Sequence, residues 1–104
     1  MLTLTGRWFD VVYIDGDHRY ASVCEDIANA KRLVRVGGLI CGDDLEAQFD
    51  ESTAERAREL VEVDYKDGYH PGVSLAVYDA FGHVWCDNSI WVMKRTLNGW
   101  SAEL

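Results

Sequence analysis

The chain has 104 residues, with 18 acidic side chains against 10 basic ones and a formal net charge of -8. This length suits a single domain, read as 1–104 throughout, and 48% hydrophobic with 27% charged residues and one proline excludes a disordered or fibrous chain. The acidic balance, without any cluster of lysine and arginine, argues against a nucleic-acid backbone or an anionic membrane as partner, because both would repel this surface.

The first ten residues, MLTLTGRWFD, lack the basic start and long apolar run of a secretory signal. No stretch approaches the roughly 20 apolar residues of a membrane span. A cytoplasmic location is expected. Cys24, Cys41 and Cys86 are odd in number and far apart in apolar segments, which predicts reduced core residues rather than disulfides or a zinc site.

Taken in chain order, Phe9 to Ile14 (FDVVYI) is a continuous apolar run rich in β-branched and aromatic residues. It predicts a strand covered on both faces. It stops at Asp15-Gly16-Asp17-His18. From Tyr20 the period becomes helical, with Tyr20, Val23, Cys24, Ile27, Ala30 and Val34 on one face, and Val36-Gly37-Gly38 ends the helix. Leu39-Ile40-Cys41 is a second strand, again ending in a polar group, Gly42-Asp43-Asp44. Strand, helix and strand here read as a right-handed βαβ unit.

Leu45 to Asp50 reads as a loop, and Ser52-x-x-Glu55 as a capping box ahead of a short charged helix with Ala54, Ala57, Leu60 and Val61 inward. Lys66-Asp67-Gly68 breaks it. Pro71 opens a helix carrying Val73, Ala76, Val77, Ala80 and Phe81, with Gly82 as its C-terminal cap. Val84 and Cys86, a turn at Asp87-Asn88-Ser89, and Ile90 to Met93 predict an antiparallel hairpin.

In parallel βαβ units ligands gather at the carboxyl ends of the strands, where Asp15, Asp17, Asp43 and Asp44 all fall. Ionising them together is unfavourable without a cation, and a hard divalent metal with oxygen ligands relieves the repulsion. His18, at the entry to the helix, is placed to accept a proton from a metal-bound hydroxyl. Against this, aspartates and glycines after strands also make plain turns and helix caps. His70, His83, Arg56 and Arg58 read mainly as solvated side chains, with substrate contact as the alternative for each. Trp8, Trp85, Trp91 and Trp100 are numerous enough to help cover exposed faces, though core and hairpin packing accounts for them as well.

The segment FDVVYIDGDHRYASVCEDIANAKRLVRVGGLICGDDLE closely resembles the second half of class I S-adenosylmethionine (SAM) dependent methyltransferases. The nearest likeness is to the metal-dependent small-molecule O-methyltransferases that include caffeoyl-CoA, macrolide-sugar and cephamycin-pathway enzymes. HPGVSLAVYDAFG and SIWVMKR look like that family's late helix and final strand, while residues 45–70 match least. The resemblance implies an α/β fold, half of a doubly wound Rossmann-like sheet, with a parallel βαβ unit followed by helices and a C-terminal antiparallel hairpin. It implies Asp15, Asp43 and Asp44 as ligands of magnesium or a similar divalent cation. Relatives use either a histidine at the position of His18 or an acid at the position of Asp17 as base, and both are present here.

The first strand and glycine-rich loop that hold SAM in that family find no counterpart in this sequence, since Gly37-Gly38 lies between a helix and a strand. SAM use is therefore implied by the resemblance, while its main binding motif is missing. The loss would expose an apolar edge beside FDVVYI, which predicts a homodimer, a complementing N-terminal half, or cover by residues 1–8. Methyl transfer to a small-molecule substrate would then need the assembled pair. Two other classes fit the residues: a non-catalytic oligomerising module on the same fold fragment, and a haloacid-dehalogenase-like phosphatase with Asp15 as nucleophile and Asp17 as acid.

Overall fold

The computed structural model describes residues 9–104. In chain order the elements are β1 (Phe9–Ile14), α1 (Tyr20–Leu33), β2 (Val34–Gly42), α2 (Glu51–Ala57) running into a 3-10 turn (Arg58–Leu60), α3 (Pro71–Phe81), β3 (Trp85–Asp87), β4 (Ile90–Thr96) and β5 (Gly99–Ser101). β1 and β2 pair in parallel around α1, and β4 joins the other edge of β2 in antiparallel sense. The resulting order is β1-β2-β4-β3, with β5 also pairing β4. This is a mixed α/β sheet.

The two-residue side-chain period decides which face each strand residue serves. Val12, Ile40 and Met93 lie opposite one another on the face that meets the helices, as do Ile14, Gly42, Trp91 and Cys86 one step along. On that face Ile40, Trp91 and Met93 pack with Val23, Ile27 and Ala30 of α1 and with Val73, Ala76 and Val77 of α3. The residues between them form the opposite face, with Tyr13, Cys41, Val92 and Trp85 in one row and Val11 and Leu39 in the next. No described helix covers that face: Val11 is 54% exposed and Tyr13 52%. FDVVYI is thus not enclosed on both sides as its continuous apolar run predicts. Among the described residues the helical layer lies on one side of this sheet only.

Three boundaries differ from the sequence reading, each for a local reason. α1 stops at Leu33, since Val34 is extended and its carbonyl accepts a hydrogen bond from Nη1 of Arg95 at 2.6 Å. Val34 therefore starts β2, and Val36-Gly37-Gly38 forms an irregularity inside the strand, where the register jumps from Phe9↔Val34 to Val11↔Leu39. A Cβ on Gly38 would lie 2.7 Å from the Asp10 carbonyl oxygen, so the close approach of β1 at that irregularity needs a glycine. The cap of α2 is Asp50 rather than Ser52: its Oδ1 accepts from both the backbone N and the hydroxyl of Thr53 at 2.8 Å. β5 has no forerunner in the sequence reading.

α3 matches its expected span and its Gly82 cap. It is apolar nearly all round, and Pro71 to Val77 are all buried because α1, the sheet and the 43–50 segment surround it. The β3–β4 turn places Asn88 and Ser89 both at positive φ, the backbone of a tight primed hairpin. The three cysteines are unpaired and half-buried, and burial raises each thiol pKa. Of the tryptophans, Trp91 is in the core, Trp100 is half-buried against Phe81, Trp85 is 41% exposed on the open face, and Trp8 lies outside the described residues. No helix among the described residues is long and apolar enough to cross a membrane.

Candidate functional site

Three connections meet at one corner of the sheet: the β1–α1 loop with Asp15 to Arg19, the 43–50 segment after β2, and the segment from Asp64 to His70 before α3. Several contacts hold them in register. Gln48 donates to and accepts from the backbone of Val84 at 3.0 and 2.9 Å, replacing a missing strand pair. The Leu45 N–H bonds the Ser89 carbonyl, the Leu45 side chain is buried, and Ser74 donates to the Ala47 carbonyl at 2.6 Å. A segment that reads as a plain loop is thereby fixed at both ends and in the middle. Asp44 itself adopts a left-handed backbone, φ 64°, where Asp is among the few residues tolerated.

His18 stands at the centre. Its Nε2 lies 2.8 Å from Oδ2 of Asp44, and its Nδ1 lies 3.0 Å from Oδ1 of Asp64. A neutral imidazole has one N–H and leaves one of these carboxylates facing a lone pair, whereas the imidazolium serves both. Burial opposes the charged form, yet the hydrogen bond to Asp64 and the charge and hydrogen bond of Asp44 outweigh it, and the pKa of His18 is raised. The ring of His70 lies 4.2 Å from that of His18 between centroids. Glu46 accepts from the His70 backbone N at 3.1 Å and lies 3.0 Å from its Nδ1. Tyr65 meets the edge of the same ring at 5.0 Å.

Of the residues expected to act, Asp44 and His18 are brought into direct contact. Asp17 is turned to its own loop: Oδ1 accepts from the backbone N and the guanidinium of Arg19, and Oδ2 from the Ser22 hydroxyl. The Arg19 N–H chiefly holds its carboxyl below the ordinary value, which weakens it as a base. Asp43 accepts its neighbour's N–H, from Asp44, at 2.7 Å. Asp15, Asp43 and Asp44 all act on the Tyr13 phenol, whose pKa rises first from desolvation and then from these three charges.

The donors that converge at the corner differ from the expected all-aspartate set. Among the described residues, His18, Asp44 and His70 each offer one ligand atom, and these atoms lie within 4.8 Å of one another. Asp15 and Asp43 are not in that group. His70, expected to be a solvated loop histidine, is 14% exposed and belongs to the corner, as do Asp64 and Glu46. The sequence signal for His70 was its place directly before Pro71, which makes it the residue leading into a helix start.

Arg56, Arg58 and His83, the other candidate contacts, lie elsewhere. Arg58 grips Asp79 of α3 with both terminal nitrogens at 2.6 and 2.8 Å, and Arg56 donates to Ser52 at 2.8 Å. His83 is exposed.

Residues 1–45 match a family model described as a methyltransferase domain. No curated protein and no solved structure matches the chain. The matched span ends on Leu45, taking in β1, α1, β2 and both aspartate-bearing turns at the strand ends. Over that part, which supplies Asp15, Asp17, His18, Asp43 and Asp44 to the corner, the chain is methyltransferase-like.

Proposed function

We propose that the chain is the acidic, cation-binding part of a SAM-dependent O-methyltransferase-like domain. A complementing N-terminal half would hold the cofactor, a second copy of the chain would cover the open sheet face, and a small molecule would accept the methyl group. The observation that carries this reading is the methyltransferase-domain match over residues 1–45, which falls on the βαβ unit whose strand-end loops bear the acidic corner. The resemblance of IDGDH and GGLICGDD to metal-dependent O-methyltransferases supports the finer type.

In this reading Asp44 helps hold a divalent cation, with Asp15 and Asp43 as the further carboxylates that the family pattern implies. Such a cation, when bound, would lower the pKa of an acceptor hydroxyl. His18 or Asp17 would remove the hydroxyl proton, and the fixed 43–50 segment would keep the acceptor oxygen aligned for in-line attack.

Calorimetric titration of the purified chain with SAM, with and without magnesium, tests the division of labour. Weak or undetectable SAM binding by the chain alone is expected, with methyl transfer appearing only on addition of a complementing half. Tight SAM binding by the chain alone rejects that division. Retention of the protein's biological role after alanine substitution of both Asp15 and Asp43 would instead favour the non-catalytic module.

A further inference from the structure

The three donors His18, Asp44 and His70 come from three separate connections, and their ligand atoms lie within 4.8 Å of one another. The arrangement around them is as specific as the donors. Asp64 sits 3.0 Å from Nδ1 of His18, and Glu46 sits 3.0 Å from Nδ1 of His70, which leaves Nε2 of each ring to coordinate. A carboxylate on the far nitrogen of a ligating histidine fixes its tautomer and raises its basicity, a pairing common around protein-bound metals. Tyr65 packs against the His70 ring, and the Glu46 contact to the His70 backbone fixes the start of α3 in the same stroke.

We infer that His18, Asp44 and His70 form a binding site for a divalent transition ion of the zinc type, with Asp64 and Glu46 orienting the two imidazoles. Two nitrogens and one carboxylate oxygen, with open positions left over, are a donor set that such ions favour. Magnesium prefers oxygen ligands and keeps its water, so it gains little from two imidazoles. The metric change is small. Ligands at 2.0–2.1 Å in a tetrahedron are about 3.3 Å apart. His18 and Asp44, now 2.8 Å apart, must part by about half an ångström, and the widest pair must close by no more than about 1.5 Å.

The site occupies the same corner as the function proposed above, and rests on that reading for the ion's use but not for its binding. A His18 that ligates the ion is not available as a base.

The test uses the metal alone. The full chain is titrated with zinc and with cobalt in the presence of excess magnesium, and the visible spectrum and shifted imidazole N–H resonances of the cobalt form are recorded. One equivalent bound, undisplaced by magnesium, with two imidazoles in the cobalt spectrum, is the expected result. His18→Ala and His70→Gln should lose saturable binding, Asp64→Asn and Glu46→Gln should weaken it about 10–100-fold, and Glu103→Gln, exposed near the C-terminus, should leave it unchanged. Circular dichroism of each variant separates a lost ligand from a lost fold, and the wild-type cobalt spectrum does not depend on any variant. Zinc and cobalt binding no tighter than magnesium, or binding lost in Asp15→Asn but kept in His70→Gln, overturns the inference. Neither result bears on SAM binding, so the proposed function stands or falls separately.

Discussion

Gly72 shows how one missing side chain positions the corner. It is the second residue of α3, and a Cβ there would lie 2.5 Å from the carbonyl oxygen of His18 and 2.6 Å from the backbone N of Tyr20. The start of α3 thus rests directly on the loop that carries His18, which is why His70 reaches the His18 ring. Gly72→Ala should cost about 1–3 kcal/mol, as overpacking does in tight interiors, measurable by urea unfolding. It should also separate the two histidines; unchanged stability would mean that the helix start yields freely. This proximity was not legible in the sequence. His18 and Asp44 were visible as strand-end residues of a βαβ unit, but His70, Asp64 and Glu46 enter through connections whose course depends on tertiary contacts such as Gln48 with Val84 and Ser74 with Ala47. No local pattern encodes those contacts.

At the scale of elements, α1, α3 and the turn after α2 are tied by Asp79. Its carboxylate accepts from the Tyr20 hydroxyl at 2.7 Å and from both terminal nitrogens of Arg58. The Arg58 bonds chiefly, and that of Tyr20 secondarily, outweigh desolvation and hold the Asp79 pKa below its ordinary value of 3.8. A carboxylate depressed in the folded state stabilises the fold above its unfolded pKa, and that contribution is lost as pH falls through the folded one. Asp79→Asn should therefore lower stability by about 1 kcal/mol at neutral pH, a value reduced for the partial exposure of the pair. It should also flatten the fall in stability below about pH 4. Denaturant unfolding at a series of pH values checks both, and an acid limb identical to wild type would show that Asp79 gains nothing from the pair. Periodicity fixed β1, most of α1, α3 and the β3–β4 hairpin, because those segments carry their own apolar stripes and turn residues. It misplaced the end of α1 and the cap of α2. Val34 is apolar on either continuation and is settled by Arg95, and Asp50 is a better-placed oxygen acceptor than Ser52 two residues on.

At the scale of the whole molecule, the described helices cover one face of the sheet and leave the other uncovered, with Val11 54% and Tyr13 52% exposed. Val11, Tyr13, Leu39, Cys41, Val92, Trp85 and Ile90 belong to that face by strand register, and among the described residues β1 pairs with β2 alone. Exposed contiguous apolar surface beside an unpaired parallel edge is a docking or aggregation site rather than a stable monomer surface. Burying such a face against a second copy is the economical resolution, since a twofold pairing needs no other partner. Sedimentation of the full chain should give a dimer at micromolar concentration. The double substitution Val11→Lys and Tyr13→Lys should shift it to monomer while leaving the helical circular dichroism unchanged, because both side chains point away from the α1–α3 core. Trp85, 41% exposed on the same face, supplies an independent reading: its fluorescence should move to the blue as the wild-type chain associates and stay red-shifted in the double variant. A wild-type chain that remains monomeric at high concentration, with Trp85 solvent-exposed, would reject self-association and leave the other two expected covers, a complementing chain or residues 1–8.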